Sequence, residues 1–135
     1  MVMSAESAPK AKRTIPSFRD SKRRGEKVTM ITVYDYPMAR LVDQTPAELI
    51  LVGDSLGMVI QGLEHTNPVT LEEMIYHVKA VRRGAPHTVI VGDLPFMTYQ
   101  LNPEQALATL PKLLARREDR ERLVTLVRRL LADER

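Results

Sequence analysis

The stretch ILVGDSLG, Ile50–Gly57, returns in altered form as VIVGDLPF, Val89–Phe96. Each runs an aliphatic strand into Val-Gly-Asp and then breaks off. A carboxylate at the end of a buried strand is costly unless something compensates it. Two of them, arriving by the same device, suggest one shared purpose. The longer run AELILVGD is apolar without alternation, the pattern of a strand covered on both faces in a parallel sheet.

Working outward, the chain alternates between two periodicities. Upstream, KVTMITVYDY is rich in β-branched residues and reads as a strand ending near Tyr34 and Asp35. Pro37 opens a helix with Met38, Leu41 and Val42 at i, i+3 and i+4. Between the two Val-Gly-Asp strands, a Gly-bearing loop leads to Thr70 and Glu73, a capping box. The helix behind that box carries Leu71, Met74, Ile75, Val78 and Val81 on one face, and Gly84 ends it. Asn102, Pro103 and Gln105 announce a further helix, which Pro111 is expected to interrupt because it lacks an N–H. Ahead of the first strand, IPSFRDSKRR predicts a short helix with Pro16 in its first turn and Gly25 as its stop. The order, a helix and then β-α-β-α-β-α, predicts an α/β fold with a parallel sheet, open or closed into a barrel. Its strands are expected near residues 28–34, 48–53 and 88–92, adjacent in sequence order.

The ends differ from the middle. Residues 1–27 hold eight Lys/Arg against three acids, residues 28–115 five against nine, and residues 116–135 seven Arg against five acids. Residues 1–14 read as a disordered basic leader, 15–108 as the β/α domain, and 109–135 as a divergent Arg/Leu-rich tail. In that tail Leu123, Leu126, Val127, Leu130 and Leu131 form the stripe of an amphipathic helix. No aromatic residues interleave with the basic ones, which argues against a nucleic-acid surface. The 135 residues suffice for one ordinary domain. The chain has no cysteine, which excludes disulfides and thiolate chemistry and fits a reducing cytoplasm. No apolar run approaches the roughly 18–20 residues of a membrane span, and the N-terminus lacks the apolar core of a secretory signal.

In parallel α/β folds ligands bind at the carboxyl ends of the strands, where Asp54 and Asp93 are expected. If their strands are neighbours, both carboxylates face one site, and a hard divalent cation such as Mg²⁺ is the natural third party. Gly53 and Gly92 then permit close backbone approach. The plainer alternative is that each Asp caps its own following loop. Ser55 has two readings as well: a hydroxyl or N–H offered to an anion, or an ordinary turn residue. His65, His77 and His87 show no ligand spacing and read as surface or packing residues. Met38, Met58, Met74 and Met97 read as core fillers. No dinucleotide-binding, P-loop or nucleophile-elbow motif occurs.

Taken together, KVTMITVYDYPMARLVD, ILVGDSLGMVIQG, PVTLEEMIYHVKAVRRGAP and VIVGDLPFMTYQ closely resemble the ketopantoate hydroxymethyltransferase family, from about Ile15 to Ala108. The resemblance implies a (β/α)₈ TIM barrel, of which this chain would hold the first three strands. It also implies a cytoplasmic homo-oligomer that binds Mg²⁺ and makes ketopantoate on the route to pantothenate. The implied reaction passes a hydroxymethyl group from 5,10-methylenetetrahydrofolate to an α-keto acid, 3-methyl-2-oxobutanoate. Asp54 and Asp93 match the family's metal-associated aspartates, and Asp54, Ser55 and Asp93 its substrate-binding residues. A divalent cation there would stabilise the negative charge that develops when the C3 proton leaves.

The sequence also departs from the family pattern. A barrel usually needs about 250 residues. The family's next strand, a V-K-[LI]-E-G-G segment, does not occur here, and Lys112 falls in a helical context. The family's general base, a Glu on a later strand, has no counterpart, since Glu118, Glu121 and Glu134 are not at strand ends. Around Gln44-Thr45-Pro46 the family's Gly-containing turn is altered. The readings carried forward are an enzyme of this family, a non-catalytic truncated remnant retaining metal or partner binding, and a related Mg²⁺-enolate C–C lyase. A frameshift, a deletion or natural truncation would each produce the change after about Ala108.

Overall fold

The computed structural model describes residues 13–113. Most of the expected leader and tail, residues 1–12 and 114–135, lies outside them. Thr14 and Ser17 close a capping box on α1 (Ile15–Arg23), with proline in its first turn. Arg24 caps its far end, and Gly25 turns the chain away at a φ of +71°, a conformation that suits glycine. Then follow β1 (Met30–Thr32), α2 (Tyr36–Asp43), β2 (Leu49–Val52), α3 (Leu56–Val59), α4 (Leu71–Gly84), β3 (Val89–Gly92) and α5 (Pro103–Leu113).

The three strands form one parallel sheet in the order β1-β2-β3. The register sets Ile31, Ile50 and Ile90 in one row and Thr32, Leu51 and Val91 in the next. Since side chains alternate between faces, Ile50 and Val52 face the helices, where both are fully buried with Val33, Leu56, Met74 and Val81. On the other face Leu49 and Leu51 are half-buried, while Met30 and Val91 are exposed. The expectation that β2 is covered on both faces is therefore met fully on one face and partly on the other among the described residues.

Three local expectations need correction. In α2 the buried positions are Ala39 and Val42, while Met38 and Leu41 point outward at 49% and 60% exposure. The cause is Gly84: a Cβ there would stand 2.5 Å from the Tyr36 carbonyl oxygen and 2.7 Å from Ala39 Cβ. The helices thus meet through their smallest residues, which rotates the longer side chains out. Gly84 does lie at the end of α4, but the space it leaves is taken by α2. The loop after Asp54 holds a short helix, α3, that the glycine there had masked. Pro111 does not break α5, which continues to Leu113; the φ that proline fixes is itself helical, at the cost of one hydrogen bond and some crowding. The altered turn after α2 needs no glycine, because Gln44 stays in the right-handed region. There Thr45 Oγ1 donates to the Val42 carbonyl at 2.8 Å and accepts from Ala47 N–H at 3.2 Å.

The amino ends of the strands are tied by side chains. Asp43 accepts from Thr88 N–H at 2.9 Å and from Thr88 Oγ1 at 2.7 Å, and its other oxygen lies 3.0 Å from His87 Nδ1. Burial by itself would raise the Asp43 carboxyl, but the hydrogen bonds from Thr88 and His87 outweigh it and hold it below the usual carboxylate range. Arg13 pairs with Glu48 at 2.8 Å, and Glu48 in turn accepts from Thr29 N–H at 3.1 Å, fixing α1 beneath β1 and β2.

Two outcomes are expected. Gly84→Ala forces a methyl into the α2–α4 contact and should destabilise by about 1–3 kcal/mol, read as a lower midpoint in urea. For Asp43, a folded pKa below the unfolded one gives stability that is complete above the unfolded value near 4 and is lost as pH falls through the folded value. Wild type should therefore exceed Asp43→Asn in stability at neutral pH, with the gap closing in acid. Urea titrations across that range check this, and a gap independent of pH would contradict it.

Candidate functional site

All three strands run into polar residues at their carboxyl ends, and each strand uses its aspartate differently. After β1, Asp35 is the N-cap of α2: its Oδ1 accepts from Met38 N–H at 2.8 Å. Asp54 and Asp93, which follow β2 and β3, do not cap their own loops. Among the described residues no hydrogen bond or ion pair engages the Asp54 carboxylate, whereas Asp93 Oδ2 accepts the backbone N–H of Asp54 at 3.2 Å.

Register explains this contact. Val52 pairs with Gly92 rather than with Val91, so the two Val-Gly-Asp runs are slipped by one residue. The ladder continues one step as Asp93 N–H donates to the Val52 carbonyl at 3.0 Å, and Asp93 stands level with Gly53. A Cβ on Gly53 would meet Ser55 Oγ at 2.7 Å and Asp93 Oδ2 at 3.3 Å. Gly53 is the space into which both side chains fit. Gly92 has a lesser role of the same kind, since a Cβ there would meet Val78 at 3.2 Å.

Ser55 precedes α3 in the position of an N-cap, yet it caps nothing: its backbone is already helical, with φ −54° and ψ −12°. Its Oγ instead lies 2.8 Å from the hydroxyl of Tyr34, at the end of β1. Tyr34 is itself held, because His77 Nδ1 on α4 sits 2.7 Å from its carbonyl oxygen. Sequence reading missed both residues. Tyr34 carried a signal, since it follows a strand whose neighbours end in Asp54 and Asp93; His77 carried none, being a helical histidine without ligand spacing. Of the other histidines, His65 is exposed in the loop after α3, and His87 is at the opposite end of the sheet.

The loop leaving Asp93 is pinned. Pro95 is buried, Thr98 Oγ1 donates to its carbonyl at 2.6 Å, and Gln105 Nε2 donates to the Met97 carbonyl at 2.6 Å. Met97 has a φ of +62°, in the left-handed region that a non-glycine residue enters at a cost of about 1–2 kcal/mol.

Asp54, Ser55 and Asp93 are thus brought to adjacent strand ends, each half-buried. The described residues contain no group of three or more His, Asp or Glu side chains able to hold a metal. Two carboxylates still suit Mg²⁺, which takes one or two from a protein and fills its remaining positions with water or ligand oxygens. No described helix is long and apolar enough to cross a membrane.

A family model described as ketopantoate hydroxymethyltransferase matches residues 12–124. The chain is 52% identical over 101 residues to a 3-methyl-2-oxobutanoate hydroxymethyltransferase of Heliobacterium modesticaldum, covering 75% of this chain and 37% of the relative. It is 54% identical over 93 residues to a Listeria monocytogenes protein of the same name, covering 69% and 34%. A third, from Syntrophus aciditrophicus, is 50% identical over 101 residues, covering 75% and 37%. The chain therefore spans just over a third of the length of the curated relatives it matches. A family match across residues 12–124, a range that includes the strands running into Asp54 and Asp93, makes this chain a member of the ketopantoate hydroxymethyltransferase family.

Proposed function

We propose that this chain is the keto-acid-binding and metal-binding part of a 3-methyl-2-oxobutanoate hydroxymethyltransferase, and that its sheet corresponds to the first three β/α units of a (β/α)₈ barrel. The observation that carries the reading is the hydrogen bond from Asp54 N–H to Asp93 Oδ2 at 3.2 Å, joining the carboxyl ends of two neighbouring parallel strands. In such folds that end of the sheet is where ligands bind.

Asp54 and Asp93 would hold Mg²⁺ through their carboxylate oxygens, one of which also accepts the Asp54 N–H. When bound, the cation supplies Lewis acidity toward the keto oxygen of 3-methyl-2-oxobutanoate. Ser55 offers a hydroxyl to the carboxylate of the keto acid. In the reaction, C3 loses a proton and bonds to the methylene carbon carried by 5,10-methylenetetrahydrofolate; water supplies the new hydroxyl and tetrahydrofolate departs. The residues of this chain bind and orient the acid. They do not include a base matching the family's, which would have to stand at the C3 proton. The family setting is a homo-oligomer in the cytoplasm.

Mg²⁺ should bind weakly to the 135-residue chain, and loss of one carboxylate should weaken it by roughly tenfold or more. Calorimetry decides this: equal Mg²⁺ binding by wild type and by the Asp54→Ala, Asp93→Ala double variant would remove the basis of the site. The purified polypeptide by itself is expected to form no ketopantoate from 3-methyl-2-oxobutanoate, methylenetetrahydrofolate and Mg²⁺. Turnover that persists in wild type and vanishes in Asp93→Ala would overturn that expectation and require a base elsewhere in the chain.

A further inference from the structure

The hydroxyl of Ser55 is not spent where its position in the chain would spend it. A serine immediately before a helix ordinarily turns its oxygen back onto a backbone N–H; here α3 receives no side-chain cap, and Ser55 Oγ faces Tyr34 Oη at 2.8 Å. Tyr34 is held in turn through its carbonyl by His77 Nδ1 at 2.7 Å. So a residue just past β1 and one on α4 are both engaged in holding one hydroxyl just past β2, beside Asp54 and Asp93.

We propose that Tyr34 is a positioning residue that sets the direction of the Ser55 hydroxyl, keeping its proton available for an anionic oxygen of the bound acid. This inference rests on the keto-acid reading above. Two hydroxyls at this distance share one proton between them, so one donates and the other accepts. A phenol is more acidic than an aliphatic alcohol and so the stronger donor of the two. When Tyr34 donates to Ser55 Oγ, the serine's own proton is free to point away from the pair. A carboxylate placed there completes a chain, phenol to serine to carboxylate, in which each bond strengthens the next. Were the direction reversed, Ser55 would present only lone pairs to an anion and repel it.

The test is binding of 3-methyl-2-oxobutanoate to the full chain in the presence of Mg²⁺, followed by calorimetry near neutral pH. Tyr34→Phe, which removes the hydroxyl and keeps the ring, should weaken keto-acid binding by about tenfold, the value of a hydrogen bond to a charged acceptor. It should leave Mg²⁺ affinity unchanged. In a Ser55→Ala background the same substitution should have no further effect, because the group through which Tyr34 acts is gone. Placing 3-fluorotyrosine at position 34 should tighten binding, since the phenol becomes a stronger donor while the packing is kept; a merely structural role would not move in that direction. This second variant also serves if Tyr34→Phe fails to fold. Unchanged keto-acid affinity in Tyr34→Phe, full additivity with Ser55→Ala, or no gain from the fluorinated ring would overturn the inference and leave the proposed function standing. Wild type that binds no keto acid with Mg²⁺ would overturn the proposed function, and this inference with it.

Discussion

Val52 lies opposite Gly92, and that single step of register between β2 and β3 governs the upper edge of the sheet. Had the two Val-Gly-Asp runs been level, strand pairing would have set one aspartate beside the other. The slip sets Asp93 beside bare Gly53, within reach of the backbone N–H of Asp54. A carboxylate then finds a backbone donor where it would otherwise find a like charge. A one-residue change of register reverses which face each side chain takes. Accordingly Val52 is fully buried while Val91, its counterpart in the repeat, is 40% exposed.

The two ends of the sheet use their polar groups in different ways. At the amino end, Asp43 is engaged by Thr88 and His87, and Glu48 by Arg13 and Thr29. Arg82 donates to the carbonyls of Ala85 and Thr88 at 3.0 and 3.2 Å, bracing the entry to β3. These groups hold helices to strands, and their cost of burial is offset by the bonds they make. At the carboxyl end the Asp54 carboxylate has no described partner, and the Ser55 hydroxyl is held by Tyr34 and not by the helix it precedes. Stability is thus drawn from one end, and chemistry is left open at the other. That division is what parallel β/α architecture permits, because loops leaving the strand ends are free of the packing that fixes the strands.

The helix contacts show how far backbone space, and not hydrophobicity, decides orientation. By pattern alone Met38 and Leu41 belong inside. They lie outside because Gly84 lets the α2 backbone come so close that only Ala39 fits between the helices. An amphipathic stripe states which side chains prefer burial; it does not state how near the neighbouring helix will stand.

The sequence by itself determined the order of every described element except α3, their parallel arrangement and the caps of α4 and α5. Thr70 with Glu73 and Asn102 with Gln105 make the bonds their spacing predicts, because caps depend on residues three apart and on nothing distant. It also pointed to Asp54, Ser55 and Asp93, through a repeat visible in the letters. Tertiary structure alone decided how these residues relate: the slip that sets Asp93 against Gly53, the reach of Tyr34 to Ser55 across 21 positions, and the hold of His77 on Tyr34 across 43. Those contacts join separate strands and a helix. Their geometry follows from register and interhelical distance, quantities that no local pattern of residues encodes.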